Sequence, residues 1–258
     1  MTSTLTLSCP YGIVLAADQR CTILQDNGPK YLDNVDKIFR VKKLPIALSF
    51  WGTTNFGSKD LNEYLEDFYK QKLSQDDDVN SIADKLKNSL ENIEPEIDAS
   101  MGFHLAGYCK NEEGDYYPQL RHVFHETWVQ NGKFVNENSN QEYHRPDGQR
   151  IQYEYDPYIA LFNGNRAVAN LYFYSLPTIY PNGTRIILDL LDLDQCTKLA
   201  KLIVTSSGEI LNFLHYLDQT EPYKGVSGVM IARITNDRVF QWVEKSRYNR
   251  IKSFLGKF

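Results

Sequence analysis

An α+β domain of layered antiparallel sheet and helix is the fold class this sequence predicts, and three observations carry the prediction. Strand-like apolar runs come in pairs joined by turn residues, amphipathic helical patterns follow one another, and no internal repeat or linker divides the 258 residues. Strands grouped in this way, not alternating one for one with helices, argue against a doubly wound parallel sheet. A chain of this length can bury an ample core, so a single domain over residues 1–258 is expected.

The first pair is Met1 to Leu7 and Gly12-Ile13-Val14-Leu15-Ala16-Ala17-Asp18-Gln19-Arg20, meeting at the turn signal Pro10-Tyr11-Gly12. A polar loop from Gln25 to Lys30 leads to a second hairpin. Its strands are the alternating run Val35 to Val41 and the nearly continuous apolar run Leu44 to Trp51, ending at Gly52. The two hairpins are expected to share one sheet with a deeply buried face. Thr53-Thr54-Asn55 offers N-caps for an amphipathic helix with Phe56, Leu61, Tyr64, Leu65 and Phe68 on one side.

Asp76-Asp77-Asp78 reads as the start of a second helix over about 80–93, since acids favour the amino end of a helix; Pro95 closes it. Strands resume at Phe103 to Tyr108 and Pro118 to Val129. Residues 130–157 read as a long polar insertion loop. Tyr158 to Phe162 is strand-like, a short helix near Arg166 follows, and a helical pattern runs from Asp192 through Leu217 with a break expected near Gly208. The closing hairpin, Gly228 to Ile234 and Arg238 to Val243, turns at Asn236-Asp237.

Composition narrows the function. Hydrophobic residues at 42% and charged residues at 24% are ordinary for a globular protein, and a net charge of −5 gives no footprint for nucleic acid. No apolar run approaches the ~18 residues of a membrane span. Cys9, Cys21, Cys109 and Cys196 are scattered, with no CxxC pair and no secretory signal, which predicts reduced thiols in a cytoplasmic setting. His122 and His125 sit on opposite faces of one strand, so they are not expected to share a metal, and no cofactor is implied.

The amino terminus holds the chemistry of interest. Removal of Met1 would expose Thr2, whose hydroxyl needs a base and whose own α-amine, with a pKa of about 7.7 to 8.0, is one. Equally, Thr2, Ser3 and Thr4 are β-formers suited to an edge strand. Asp18 and Arg20 read by themselves as a structural pair at a strand end, Lys37 as a solvated strand residue, and Gly52 as a turn into a helix.

Taken together, Thr2, Gly12, Asp18-Gln19-Arg20, Lys37 in Asp36-Lys37-Ile38-Phe39, and Gly52 in Ser49-Phe50-Trp51-Gly52 resemble a proteasome β-subunit or its bacterial proteasome-like relatives. The resemblance extends through the two successive helices, Leu105-Ala106-Gly107-Tyr108 and Gly225 to Ile231; the amino-terminal helical extension of the noncatalytic α-subunits is missing. It implies an N-terminal nucleophile hydrolase with a four-layer αββα sandwich, two antiparallel sheets between helix layers. By the same resemblance Thr2 is the nucleophile and general base, Lys37 the neighbouring ammonium paired with Asp18, and Gly52 the oxyanion donor. Asn163 stands where the family has a serine-rich turn, and Cys21, Thr22, Phe50 and Thr54 are the implied substrate contacts.

Two departures mark the chain: Phe162-Asn163-Gly164-Asn165 replaces the serine-rich turn, and Glu221-Pro222-Tyr223-Lys224 replaces an Asp-x-x-Ser segment, with Ser227 nearby. The implied activity is a threonine endopeptidase that assembles into rings, takes peptide or unfolded-protein substrates, and works with an ATP-dependent unfoldase. A noncatalytic assembly or binding subunit and a small-amide acylase on the same sandwich stay open. The tail over 245–258 carries five basic residues and no acid after Glu244, as in a solvated end or a docking segment.

Overall fold

The computed structural model describes residues 3–25, 28–52, 55–56, 59–92, 101–125, 135–138, 160–163, 191–217 and 228–245. Its first hairpin pairs β1 (Thr4–Cys9) with β2 (Gly12–Asp18), from Thr4↔Ala17 to Cys9↔Gly12. Gly12 closes the turn at φ +154°, where an added Cβ would lie 2.5 Å from the Ile234 carbonyl oxygen. After a small hairpin of β3 (Cys21–Gln25) and β4 (Gly28–Leu32) come β5 (Ile38–Arg40) and β6 (Ile46–Gly52).

The second hairpin does not join the first. β5 and β6 open a different sheet, and the buried runs of β2 and β6 lie on opposite sides of a shared interior. Apolar alternation shows that a strand has a buried face; it does not show which neighbour covers that face.

A minimal ladder of β7 (Asn55–Phe56) and β8 (Lys59–Asp60) precedes α1 (Leu61–Gln71). Asp60, not the Thr53-Thr54-Asn55 segment, caps this helix: its side chain accepts from the Glu63 backbone N–H, and Glu63 reaches back to the Asp60 N–H. In α2 (Val79–Glu91), Asp78 is the cap, Ser81 completes the reciprocal pair, and Asp77 binds Lys85 at 2.6 Å. The acidic run therefore starts a helix, as its position suggested. β9 (Met101–Lys110) and β10 (Tyr116–His125) form a long hairpin. Part of the expected 130–157 loop is strand, β11 (Val135–Asn138), laid along β10 from Arg121↔Asn138 to Phe124↔Val135.

β12 (Ala160–Asn163) pairs with β1, and α3 (Leu193–Leu217) runs unbroken through Gly208. Gly208 is buried, and burial of Ile203 and Val204 on the same face outweighs the roughly 1 kcal/mol that glycine costs a helix. Beneath it Ser207 donates back to the Ile203 carbonyl at 2.8 Å. The closing hairpin of β13 (Val229–Thr235) and β14 (Phe240–Glu244) completes the chain order. The short helix expected near Arg166, and the tail beyond Lys245, lie outside the described residues.

Among the described residues the strands form two five-stranded antiparallel sheets, ordered β12-β1-β2-β13-β14 and β11-β10-β9-β6-β5. Three apolar clusters define the layers. Leu5, Leu7, Val14, Ala16 and Ile231 meet Cys196, Ala200, Ile203 and Val204 of α3. Ile13, Leu15, Met230 and Ile234 meet Ile38, Ala47, Ala106 and Leu120 between the sheets. Ile46, Leu48, Phe50, Phe103 and Leu105 meet α1 and α2 through Leu65, Phe68, Ile82 and Leu86. The order is helix, sheet, sheet, helices, which is the αββα sandwich expected; each fully buried aliphatic side chain in it contributes about 1.5–3 kcal/mol.

Candidate active site

Asp18 closes β2 with a strand on each side: its backbone N–H donates to the Ser3 carbonyl at 2.9 Å, and it stands opposite Val229 in the β13 ladder. The side chain is fully buried and its oxygens are shared among three donors. Oδ1 accepts from the Ser3 N–H at 2.7 Å and from Lys37 Nζ at 2.9 Å, and Oδ2 accepts from the Arg20 N–H at 3.0 Å. A buried carboxylate is tolerated only when paired and hydrogen-bonded in this way.

Lys37 is as deeply buried as its partner, at 1% and 0% side-chain exposure. Its backbone fixes it beside β6, because the Phe50 N–H donates to the Lys37 carbonyl at 2.8 Å while the Lys37 N–H points at the Met230 sulfur. From there the ammonium reaches Asp18 and also donates to the carbonyl oxygen of Arg20. Lys37 is thus an interior charge, not the solvated strand residue its alternation by itself suggests. It sits one shared carboxylate oxygen away from the amide of Ser3.

Gly52 ends β6 at φ +99°, a left-handed conformation that an L side chain rarely adopts, opposite Met101 in the ladder. Next to it the chain alternates. Phe50 turns to the helix side, 1% exposed and packed at 5.2 Å against Phe103, so its ring belongs to the helix-side core and not to a pocket on the sheet's other face. Trp51 turns to the inner face, over Gly102, and its indole Nε1–H donates to His122 Nε2 at 3.2 Å.

Cys21 is buried and pairs with Leu32 at the root of the β3–β4 hairpin, where Thr22 stands opposite Tyr31. Thr2 and Thr54 lie outside the described residues.

Between the sheets runs a polar row that sequence reading did not bring together. Thr4 Oγ1 donates to Ser49 Oγ at 2.9 Å, and Thr6 Oγ1 lies 3.3 Å from His104 Nδ1. His104 Nε2 lies 2.6 Å from Asn163 Oδ1. An amide oxygen can only accept, so Nε2 carries the proton and Nδ1 is left to accept from Thr6. His104 and His122 face each other across the β9–β10 register with ring centroids 5.0 Å apart. Burial lowers the His104 pKa to about 4, with the Asn163 bond opposing the shift, and holds His122 well below the ordinary histidine value.

Asp18, Lys37 and residue 3 therefore converge, while Asn163, opposite Thr4 in the β1–β12 ladder, is engaged by His104. The signal for the row was present as Thr4, Thr6 and Ser49 at inward strand positions and His104 between apolar neighbours. Only cross-strand register joins them. Among the described residues no group of His, Cys, Asp and Glu is arranged to hold a metal ion, and no helix is long and apolar enough to cross a membrane.

No protein-family model and no curated protein sequence matches the chain. Solved structures do. A mutant of Anbu from Hyphomicrobium sp. strain MC1 superimposes with a TM-score of 0.52 at 10% identity, over 100% of this chain and 94% of that one. Anbu from Yersinia bercovieri, described as an ancestral beta-subunit, gives 0.51 at 11% identity over 99% and 93%. At such identities the likeness is one of fold alone, and it agrees with the layered sandwich described above.

Proposed function

We propose that this chain is a threonine endopeptidase of the proteasome β-subunit kind, with Thr2 as nucleophile after removal of Met1. The observation that supports it most is the buried Lys37–Asp18 pair, whose shared oxygen also holds the Ser3 N–H. Two interior charges are costly to keep, and here they are kept one residue from the proposed nucleophile.

In this reading Thr2 Oγ attacks a peptide carbonyl while its α-amine takes the hydroxyl proton and returns it to the leaving amine. The Lys37 ammonium stabilises the deprotonated nucleophile, Asp18 fixes that ammonium in place, and the Gly52 N–H faces the tetrahedral oxyanion. Cys21, Thr22 and Thr54 contact substrate. Subunits associate into rings enclosing the sites, in the cytoplasm, fed by an ATP-dependent unfoldase.

A peptide epoxyketone tests the reading. Morpholine formation needs both a hydroxyl and a free α-amine on one residue, so a mass increase localised to Thr2 is the expected result, and an unmodified chain with Met1 retained would sink it. Asn163 supports a second reading, a noncatalytic assembly subunit: its amide oxygen, at the place of a proton-handling serine, is taken up by His104.

A further inference from the structure

The segment between Asp18 and Lys37 folds into the β3–β4 hairpin, and this hairpin returns an acid onto Arg20. Asp33, just past β4, binds the Arg20 guanidinium in a fork: Nε to Oδ1 at 2.6 Å and a terminal nitrogen to Oδ2 at 3.2 Å. Tyr31 lies against the same guanidinium with its ring centroid 5.5 Å from Cζ. The Val35 N–H donates to the Gln19 carbonyl at 2.9 Å, tying the far end of the hairpin to the residue before Arg20.

Arg20 in turn offers its backbone to the interior pair. Its N–H donates to Asp18 Oδ2, and its carbonyl accepts from Lys37 Nζ. We propose that Asp33 is a positioning residue: by clamping the Arg20 side chain it fixes the Arg20 carbonyl, and with it one of the oxygens that aim the Lys37 ammonium. The inference rests on the peptidase reading for its catalytic meaning, though not for its geometry.

The clamp suits this work. A planar guanidinium held by two parallel bonds and a ring has little freedom left, so the backbone beneath it is held as well. Lys37 contributes a flexible four-carbon stem and a point charge, and its direction is set by its acceptors. Asp33 itself is 45% exposed and Arg20 13%, so loss of the acid leaves a guanidinium able to reach water and not a stranded interior charge.

The test uses the whole chain as Asp33→Ala, with Asp33→Glu as the conservative control and Lys37→Met to assign the signal. In protein labelled with 15N-lysine, solvent exchange of the Lys37 ammonium protons is measured by NMR. The expected result is exchange faster by about tenfold in Asp33→Ala, the change that loss of one hydrogen-bond-sized restraint produces, and its recovery in Asp33→Glu. Unchanged exchange in a folded Asp33→Ala protein overturns the proposal.

Epoxyketone modification is followed alongside: at saturating reagent the rate constant should fall in Asp33→Ala and return in Asp33→Glu. If the parent protein forms no adduct, the peptidase reading fails by itself while ammonium exchange still decides the clamp.

Discussion

His104 donates from Nε2 to the amide oxygen of Asn163 across 2.6 Å, and this bond joins β9 of one sheet to β12 of the other. Burial holds the His104 imidazole neutral, which leaves its Nδ1 to accept from Thr6, and His122 Nε2 accepts from the Trp51 indole, so it is neutral as well.

Acid should therefore loosen the sandwich. The unfolded chain binds protons at both histidines below pH of about 6.5, whereas the folded chain resists until about pH 4 at His104, and burial likewise holds His122 well below its ordinary value. Stability is fully present above pH of about 6.5 and is lost as pH falls toward 4, on the order of 3 kcal/mol from His104. Urea midpoints measured from pH 7 to 4 should fall steeply. The slope should be shallower in His104→Asn; an equal slope would remove histidine burial as the cause.

The interior ion pair predicts a nonadditive mutant cycle. Lys37→Met leaves the Asp18 carboxylate buried with only amide donors, and a lone buried charge of that sort typically costs about 3–5 kcal/mol. Combining it with Asp18→Asn should recover a substantial part of the loss. Denaturation of the three variants checks this. In the peptidase reading, every variant lacking Lys37 should also fail to react with an epoxyketone.

Gly102 has no room for a methyl group. A Cβ there would lie 2.7 Å from the Trp51 indole nitrogen and 2.8 Å from the Phe124 Cβ. Gly102→Ala should cost about 1–3 kcal/mol and push Trp51 off His122. A lowered melting temperature with a shifted tryptophan emission is the expected pair of changes.

Gly52 at φ +99° makes a different demand, on the backbone itself. Gly52→Ala should destabilise by about 1–3 kcal/mol, the usual range for forcing a side chain into a sparsely populated conformation. In the peptidase reading it should also slow epoxyketone modification more than that loss explains, since relaxing the strain turns the Gly52 N–H away.

Much of this architecture was legible in the chain. The opening hairpin, the two helices, β9 with β10, and the closing hairpin follow from periodicity and turn residues, because these features depend on neighbours close in sequence. The sheet to which each hairpin belongs was not legible, since β2 and β6 carry equally apolar faces. Asp60 is not distinguished as the α1 cap in the sequence because the threonines upstream cap equally well, and β11 lies in a stretch whose polarity reads as loop.

At the site, Asp18 and Lys37 were marked by the spacing of motifs resembling a known family, and the fold brings them within 2.9 Å. His104 carries no local signal because its partners, Thr6, Asn163 and His122, lie on three other strands. Its place within an apolar run looked like ordinary packing. The Asp33 fork depends on a hairpin turn that nothing in local pattern demanded.

The hydroxyls, imidazoles and amide between the sheets have one further consequence. Hydrocarbon surfaces slide over each other with little preference, but a shift of one sheet by a single strand position would leave Thr4, Thr6, His104 and Asn163 facing methyl groups with their donors and acceptors unmet. A few polar atoms thus act as an alignment key. They choose one seating among many that grease alone would permit, and so decide where the start of the chain comes to rest.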